Sequence, residues 1–472
     1  MLYIKFDRIH GHSYSKNIYK DIREKILSGN LRTEEKLPST RECSKNLSVS
    51  RNTILTAYEM LISEGLVVSK PGAGFFVSSD IIAKKHPLQV SDSCAASLSD
   101  ISIPTNAINF DSGLPALDLF PKRKWSKAAT KALKEAPISA LGYDDPQGRS
   151  EFREVLRKYL QRTRGIVCGA DQIIVTNGTK QGLTLVAKCL LDAQSEIWIE
   201  NPTNDNVRQI FSYHTNNITP FEVDKDGIQP CLFFKNNSPT LIFMTPSHQF
   251  PMGGRLPIKR RLEVIKFARE NDCLILEDDY DSEFTYEGSP ANSLFELDPQ
   301  HVIYSGTFSK ILFPSIRLGY LVVPRHLVSR IREIKRLADH HSNSINQLTL
   351  MHFIESKELE RHIRRMKKEY GKRREQLLFL LHKYFGENIK IHGNRAGMHV
   401  VAEFNGVIFT QKNLQRLQEK GVYVVPVEKH SMLKGKHQSK IILGYAHLSH
   451  EEMETGLNII KTELNLSRIH RF

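Results

Sequence analysis

The chain has 472 residues, 25% of them charged, and a formal net charge of +14, so it has room for about two to four domains. It contains no run of about 18 apolar residues, and its N-terminus lacks the apolar stretch of a signal peptide. We therefore predict a cytoplasmic protein without a membrane partner, whose basic charge favours a polyanion such as nucleic acid.

The pattern along the chain predicts three segments. Residues 13–79 resemble short helices followed by a hairpin, and residues 80–107 have the Ser- and Ala-rich composition of a linker. Residues 108–472 form the effector domain, in which short apolar strands alternate with helices, as in an α/β fold with a mostly parallel sheet. Residues 326–386 are strongly helical, and residues 387–472 predict a smaller α+β subdomain. The predicted strands include Ile173–Thr176, Glu196–Ile199, Thr240–Met244, Cys273–Leu276 and Val302–Ser305.

The six cysteines are scattered along the chain. None forms a C-x-x-C pair, and none has histidine neighbours at zinc-finger spacing. We therefore predict reduced thiols and no metal site.

The first predicted helix spans Ile18–Ser28 and places Ile18, Ile22, Ile26 and Leu27 on one apolar face. The segment LPSTRECSKNL then predicts a second helix. Its cap is Ser39, which forms a capping box with Glu42.

A third helix, Arg51–Glu64, begins after the cap residue Ser50 and is closed by Gly65. Two helices joined by a short turn indicate a helix-turn-helix, whose second helix enters the major groove of DNA. The following LVVSKPGAGFFV predicts a β-hairpin wing with Lys70 and Gly72 near its tip.

The segment LPSTRECSKNLSVSRNTILTAYEMLISEGLVVSKPGAGFFV resembles the GntR-type winged helix throughout. The resemblance implies binding to a double-stranded DNA operator, with phosphate contacts from basic residues and base contacts from the start of the third helix. One departure is Thr33-Glu34-Glu35, where the family usually has a Pro-Gly turn. The implied DNA-binding residues are Arg41, Arg51, Thr53 and Lys70, with Ser50 and Gly72 secondary.

In the large domain, VIYSGTFSKILFPSIRLGY predicts a strand that ends at Tyr304, a hydroxyl-rich turn, Lys310 and then Arg317. A lysine beside hydroxyl groups and an arginine suits pyridoxal 5′-phosphate (PLP), whose aldehyde reacts with the lysine while the other groups hold its phosphate.

Two upstream segments support this interpretation. CLILEDDYDSEF delivers Asp278 and Tyr280 at the end of a strand, where ligands of open α/β sheets bind. VTNGTKQGL is a strand, a glycine turn and a helix that begins near Thr179 and Lys180, and free N–H groups at a helix start suit a phosphate.

These segments together resemble a fold-type I aminotransferase domain. With the GntR-type head, SGTFSK, EDDYDSEF, TPSHQFPMG and GLPALDLFP match the pattern of the MocR family. The resemblance implies a head-to-tail, domain-swapped homodimer in which Tyr143 reaches the partner's phosphate. It also implies Lys310 as the Schiff-base lysine, Asp278 as the partner of the pyridine nitrogen, Tyr280 as the partner of the phenolic oxygen, and Thr179, Lys180, Ser309 and Arg317 near the phosphate.

The sequence departs from an aminotransferase where the substrate carboxylate is held. Ile442 occupies the place of the usual bidentate arginine, and Lys440 could replace it only after rearrangement. Asn204 and Asn206 stand where the family usually has an aromatic residue and a ligand arginine, so Arg208 is a weak substitute. Phe250 replaces the asparagine that aminotransferases place against the PLP oxygen.

We therefore hypothesise a regulator that senses PLP itself and controls vitamin B6 biosynthesis genes, as in the PdxR subgroup. One alternative is a GabR-like regulator that responds to an amino acid or amine through an external aldimine. Two others are an active aminotransferase, with Lys310 as its general base, and a DNA-binding protein with an inert scaffold.

Overall fold

The computed structural model describes residues 14–80, 104, 106–233, 238–288 and 292–464, so most of the predicted linker lies outside the described residues. Contacts between Cα atoms divide the chain into two compact units, Met1–Ser102 and Ile103–Phe472. Among the described residues, no helix has the length and apolar character needed to cross a bilayer.

Within residues 14–80, the first unit contains three helices and a two-stranded antiparallel hairpin, as the winged-helix prediction requires. Its helices pack around a core that includes Ile18, Ile22, Cys43, Ala57 and Tyr58. The elements are α1 (Tyr14–Leu27), α2 (Thr40–Leu47), α3 (Arg51–Ser63), β1 (Val67–Lys70) and β2 (Gly74–Val77).

Both predicted helix caps are present. The hydroxyl of Ser39 accepts a hydrogen bond from the Glu42 N–H (3.2 Å), which is one half of the predicted capping box, and that of Ser50 accepts one from the Thr53 N–H (3.1 Å). The prediction for Leu27 is wrong: its side chain is 43% exposed, because it lies about 100° around the helix from the buried Ile26 and at the last residue of α1.

Glu34, in the segment where the family usually has a Pro-Gly turn, adopts a left-handed backbone with φ of 61°. Glycine carries no steric penalty there, so we expect Glu34→Gly to stabilise the first unit by about 0.5–1 kcal/mol, net of the entropy that glycine adds to the unfolded chain. Hydrogen exchange of α3 amides measures this effect. In the matched control, Glu35→Gly removes the carboxylate that accepts the Arg32 N–H (2.8 Å), so it should accelerate exchange. Faster exchange in the Glu34 variant would contradict the expectation.

The second unit is built on an eight-stranded sheet in the order β4-β11-β10-β9-β8-β5-β6-β7, flanked by helices. Its strands are β4 (Ile173–Thr176), β5 (Ile197–Asn201), β6 (Ile218–Asp224), β7 (Gly227–Ile228), β8 (Leu241–Met244), β9 (Leu274–Asp279), β10 (Val302–Thr307) and β11 (Gly319–Val322). The helices up to β11 are α4 (Lys122–Glu135), α5 (Ser150–Arg164), α6 (Thr179–Leu190), α7 (Asp205–Ser212), α8 (Ile258–Glu270) and α9 (Leu294–Leu297).

The pairings of β10, β9, β8, β5 and β6 are parallel, whereas β11 is antiparallel to both neighbours and β7 forms a hairpin with β6. Both sheet faces are buried: Trp198 and Ile242 face one core cluster, and Ile199 and Phe243 face another. Burial on two sides explains why the strands appear as continuous apolar runs in the sequence. The predicted end of β10, at Tyr304 or Ser305, is too early, because pairing with β9 continues to Gly306 and pairing with β11 to Thr307.

The remaining elements form the helical stretch and the smaller subdomain that the sequence predicts. A four-stranded antiparallel sheet, β12-β13-β16-β15, packs around its own apolar core, and β14 pairs with β3. The elements are β3 (Ile108–Asn109), α10 (Arg325–Asp339), α11 (Ser344–Glu355), α12 (Glu358–Phe385), β12 (Ile389–His392), β13 (His399–Phe404), α13 (Gln411–Glu419), β14 (Val422–Tyr423), β15 (Val425–Pro426), β16 (Lys440–Gly444) and α14 (His450–Glu463).

Candidate functional site

The carboxyl ends of β5, β8, β9 and β10 meet at one edge of the large sheet, since these strands are parallel. Asp278 lies at the end of β9, Tyr280 follows it, and Lys310 follows β10. Ligands of open α/β sheets bind at this edge. The fold thus brings together three residues that the sequence places up to 32 positions apart.

The Asp278 carboxyl group is buried, with 8% of the residue exposed. It accepts a hydrogen bond of 3.0 Å from the hydroxyl of Ser305, which lies opposite it in the β9–β10 register. Burial raises the pKa of Asp278 to about 7, and the neighbouring Asp279 and Asp281 act in the same direction. The nearby Lys310 amine opposes these effects only in part, and among the described residues the carboxyl group forms no direct ion pair.

Lys310 presents its amine to the same space. Its Nζ donates to the Gly113 carbonyl oxygen at 2.7 Å. Burial lowers the pKa of Lys310, opposed by the carboxylates of Asp111, Asp281 and Asp278. A lowered pKa increases the neutral fraction of the amine, which is the form that attacks an aldehyde.

The hydroxyl of Tyr280 donates to the main-chain oxygen of His248 at 3.0 Å and lies 3.1 Å from that residue's Nδ1. Burial raises the pKa of Tyr280 well above its ordinary value, so the phenol keeps its proton. A protonated phenol can donate a hydrogen bond to an anionic oxygen.

The start of α6 lies against Arg317. Its N-cap, Gly178, has a φ of 94°, and a Cβ there would lie 3.1 Å from both terminal guanidinium nitrogens. The guanidinium thus faces a helix N-terminus, where unpaired N–H groups favour an anion. Thr179 begins this helix, and Lys180 donates from Nζ to the Asn206 side chain at 3.0 Å.

Ser309 and Tyr143 differ in their settings. Ser309 is half-buried beside Lys310, and its N–H donates to the Thr307 hydroxyl at 3.2 Å. Tyr143 is 85% exposed and contacts the ring of His340, with centroids 4.7 Å apart.

The surroundings of Ile442 are apolar. Its buried side chain forms an apolar cluster with Val401 and Val427, against which Phe250 packs. The Phe250 ring in turn lies 6.2 Å from the Tyr280 ring. The place of the usual arginine is therefore an apolar wall beside the candidate site.

The two basic residues considered as substitutes have other partners. Lys440 lies 3.7 Å from a Glu403 carboxylate oxygen and 3.3 Å from Nδ1 of His437. Arg208 donates from Nε (3.0 Å) and Nη2 (2.5 Å) to one carboxylate oxygen, Oδ1, of Asp205, one helical turn earlier. Neither is held ready to bind a carboxylate in the site.

Sequence reasoning missed a buried polar cluster beside Tyr280. Nδ1 of His248 lies 3.0 Å from each carboxylate oxygen of Asp281, and the His399 ring lies 5.2 Å from the His248 ring. Burial, followed by the neighbouring His248, lowers the pKa of His399 to about 3. The signals were the histidine of TPSHQFPMG and the aspartate two residues after β9, but nothing local in the sequence indicates that they meet.

The candidate DNA contacts lie on the exposed side of the first unit. Arg41 and Arg51 are exposed at the starts of α2 and α3, and Nε of Arg51 donates to the Thr40 hydroxyl at 3.2 Å. Ser50 and Thr53 share a hydrogen bond of 2.8 Å at the start of α3. In the wing, Lys70 lies over the Phe76 ring at 4.9 Å, and Gly72 has a φ of 73°.

The residues of the large domain fit PLP on structural grounds. Asp278 offers a buried carboxyl group of raised pKa, Lys310 an amine of lowered pKa, and the α6 N-terminus an opening beside the Arg317 guanidinium. These are chemically matched to a pyridine nitrogen, an aldehyde and a phosphate. The described residues also supply a phenol, that of Tyr280, near the first two groups.

The buried Asp278 predicts a pH dependence of stability in the cofactor-free chain. Its folded pKa of about 7 exceeds its unfolded value, so its stabilising contribution is present at low pH and is lost as pH rises through 7. Asp278→Asn keeps an acceptor for Ser305 but carries no charge. We expect this variant to gain about 1–3 kcal/mol in unfolding free energy over the wild type at pH 8 and much less at pH 5.

Urea unfolding of both cofactor-free proteins at the two pH values measures this difference. The carboxyl groups of Glu200 and Glu277, whose pKa values burial also raises, cancel in the comparison because both proteins contain them. An equal stability difference at pH 5 and pH 8 would contradict the expectation.

Comparisons with known families agree with the two units. Residues 14–77 match the bacterial regulatory proteins of the gntR family, and residues 105–460 match aminotransferase class I and II, a PLP-dependent fold. Among solved structures, the multiple substrate aminotransferase of Thermococcus profundus has a TM-score of 0.72 and 25% identity, covering 82% of this chain and 97% of that one. LysN, the α-aminoadipate aminotransferase of Thermus thermophilus, crystallised with a phosphopyridoxyl-leucine, has a TM-score of 0.70 and 25% identity, over 78% and 94%.

The domain pair defines the class of protein: a DNA-binding transcriptional regulator whose large domain has the aminotransferase fold. The probable rhizopine catabolism regulatory protein MocR of Rhizobium meliloti is 31% identical over 468 residues, covering 95% of this chain and 93% of the relative. The pyridoxine biosynthesis regulator PdxR of Corynebacterium glutamicum is 30% identical over 362 residues, 77% of each chain. The chain belongs to the MocR family.

Proposed function

We propose that this regulator binds PLP in its large domain and senses PLP itself, to control vitamin B6 biosynthesis genes. The observation that carries the proposal is the apolar cluster around Ile442 and Phe250, which stands where an amino-acid substrate would need a cation. A site that suits the cofactor but offers no carboxylate clamp suits a sensor of the cofactor. The similarity to PdxR, a regulator of pyridoxine biosynthesis, also supports a role in vitamin B6 control.

In the proposed site, each residue has one task. Asp278 pairs with the pyridine nitrogen, Tyr280 donates to the phenolic oxygen, and Arg317 with the α6 N-terminus holds the phosphate. Lys310 supplies the amine. PLP, when bound, would supply an aldehyde, which is reactive towards amines, and an aromatic ring that withdraws electrons. Thr179, Lys180 and Ser309 complete the phosphate end.

We propose a homodimer, with Tyr143 contributing to the partner's phosphate site. The support is an exposed apolar segment that leads into this residue: Ile138 is 89%, Leu141 73% and Tyr143 85% exposed. A run of exposed apolar side chains is typical of an interaction surface. Sedimentation of the full chain tests the state, and a monomer at micromolar concentration would contradict it. We place the dimer in the cytoplasm, where its DNA is.

In the proposed mechanism, PLP changes DNA binding because it binds one arrangement of the protein more tightly than another. The DNA contacts come from the heads, through Arg41, Arg51, Thr53 and Lys70, with Ser50 and Gly72 beside them. Because the heads contact phosphates, binding should weaken steeply with salt.

A reporter fused to the promoter of the protein's own gene tests the proposal, in a host that cannot make vitamin B6. We expect pyridoxal supplementation to change reporter output when the regulator is present and not when it is absent. Reporter output that is the same with and without pyridoxal would contradict PLP sensing. If output instead follows one amine, the apolar wall beside Tyr280 has selected a ligand without a carboxylate, as in the alternative of an amine-responsive regulator.

A further inference from the structure

The buried pair formed by Asp281 and His248 touches the hydroxyl that faces the proposed cofactor. Both residues are at most 2% exposed, and Nδ1 of the histidine lies 3.0 Å from each carboxylate oxygen. The Tyr280 hydroxyl lies 3.1 Å from the same nitrogen. The backbone of Gly397 closes over the pair, leaving no room for a side chain.

The geometry fixes the position of the imidazole proton. A bare lone pair on Nδ1 would face two carboxylate oxygens at 3.0 Å, which is repulsive, so Nδ1 carries the hydrogen and donates it. Nε2 of His248 is buried and has no hydrogen-bond partner among the described residues. Leaving that nitrogen without a hydrogen avoids an unsatisfied buried donor.

This tautomer determines what the Tyr280 hydroxyl can do. The phenol cannot donate to a nitrogen that already carries hydrogen, so it keeps its own proton, which the structure directs to the His248 main-chain oxygen at 3.0 Å. Nδ1 lies 3.1 Å from the phenol oxygen, so its one hydrogen is shared between Asp281 and that oxygen, and a hydrogen bond received there makes the phenol a better donor.

We propose that Asp281 and His248 are positioning residues, which hold the Tyr280 proton available for the phenolic oxygen of PLP and so tune the proton affinity of the bound chromophore. The inference rests on the proposed binding of PLP. A hydrogen bond to the phenolic oxygen stabilises its anion, so losing that bond should make the chromophore keep its proton to higher pH.

The charge of Asp281 has the opposite effect, which allows a sharp test. Carboxylates near Lys310, Asp281 among them, favour the protonated amine. Removing the charge alone should therefore lower the pH midpoint of the chromophore, whereas loss of positioning should raise it. Besides burial and Asp281, the carboxyl groups of Asp278, Glu200 and Asp279 raise the pKa of Tyr280, and all variants would keep them.

The experiment is a pH titration of the visible absorption band of PLP-loaded full-length protein. We expect Asp281→Asn to raise the midpoint by about one pH unit, in the same direction as Tyr280→Phe. The asparagine amide can donate to Nδ1, so Nδ1 no longer has to carry a hydrogen. The Tyr280 hydroxyl can then donate to Nδ1 instead of to PLP. In the Tyr280→Phe background, Asp281→Asn should produce no rise, since the pathway through the phenol is gone.

Two further variants serve as checks. His248→Gln should reproduce the rise, which keeps the test available if Asp281→Asn does not fold. His399→Gln is the matched control: this residue is equally buried beside His248, but its Nε2 contacts the Pro251 carbonyl oxygen (2.9 Å), so its midpoint should match the wild type.

The outcomes are separable. A rise in both Asp281→Asn and His248→Gln that vanishes without the phenol supports the positioning role. A fall, no shift, or a rise that persists in the Tyr280→Phe background would overturn it while leaving PLP binding intact. A wild-type protein with no visible band would overturn the proposed PLP binding and this inference with it.

Discussion

Lys310→Ala should leave the operator affinity of the cofactor-free protein within about twofold of the wild type and remove its response to PLP. The reason is the separation of tasks: Lys310 is half-buried at the edge of the large sheet, whereas the candidate DNA contacts lie in the first unit. In the wild type, an allosteric coupling of ordinary size would change operator affinity by about 5- to 150-fold.

Fluorescence anisotropy of labelled operator DNA, with and without saturating PLP, measures both quantities. Lys188→Ala is a matched control, because Lys188 is an exposed lysine of the same domain, on α6, far along the helix from its N-terminus. It should retain the full response. A Lys310→Ala protein that responds to PLP as strongly as the wild type would contradict the role of this amine.

Arg51→Ala should reduce affinity for the operator by about 10- to 100-fold, while binding to random DNA changes far less. Arg51 is the first residue of α3, the helix that enters the major groove in this arrangement, and its Nε is held by Thr40. A side chain that reads bases contributes about 1–3 kcal/mol of discrimination.

Arg41→Ala provides the contrast, because Arg41 is proposed to contact phosphate. It should weaken binding to all sequences alike and reduce the slope of log affinity against log salt by about one. Lys20→Ala, an exposed change on α1, should have no effect on either measure. Equal losses on operator and random DNA for Arg51→Ala would contradict base readout by this residue.

Much of the fold follows from local patterns in the sequence. Apolar spacing predicts α1 and α3, and the hydroxyls of Ser39 and Ser50 cap the helices that follow them, as expected. The apolar runs predict the central strands to within a few residues. These features depend on side chains close together in sequence, which is why periodicity and capping rules find them.

Contacts between distant segments were not predictable in the same way. Lys310 donates to Gly113, 197 residues earlier, and His248 meets Asp281 across 33 residues. The continuation of β10 beyond Tyr304 depends on its two neighbouring strands rather than on its own residues. In these cases the sheet topology, which local patterns do not encode, decides which groups face each other.

The candidate site was predictable only in part from the sequence. Motif spacing and family resemblance predict that Asp278, Tyr280 and Lys310 belong to one site. The parallel register of β9 and β10 places them at the same edge of the sheet. The apolar wall at Ile442 was inferred from one missing arginine. The residues that pack against Ile442, Val401 and Val427, were not predicted from the sequence to lie beside it.

The central claim, that PLP is the effector, is tested most directly by the affinity of the full-length protein for the DNA flanking its own gene. The cofactor-free and PLP-loaded proteins are compared at one salt concentration, with pyridoxal, which lacks the phosphate, as the control ligand. We predict that PLP changes the affinity at least about fivefold and that pyridoxal changes it much less, because the α6 N-terminus and Arg317 would hold the phosphate. Equal affinity of the cofactor-free and PLP-loaded proteins would contradict the claim.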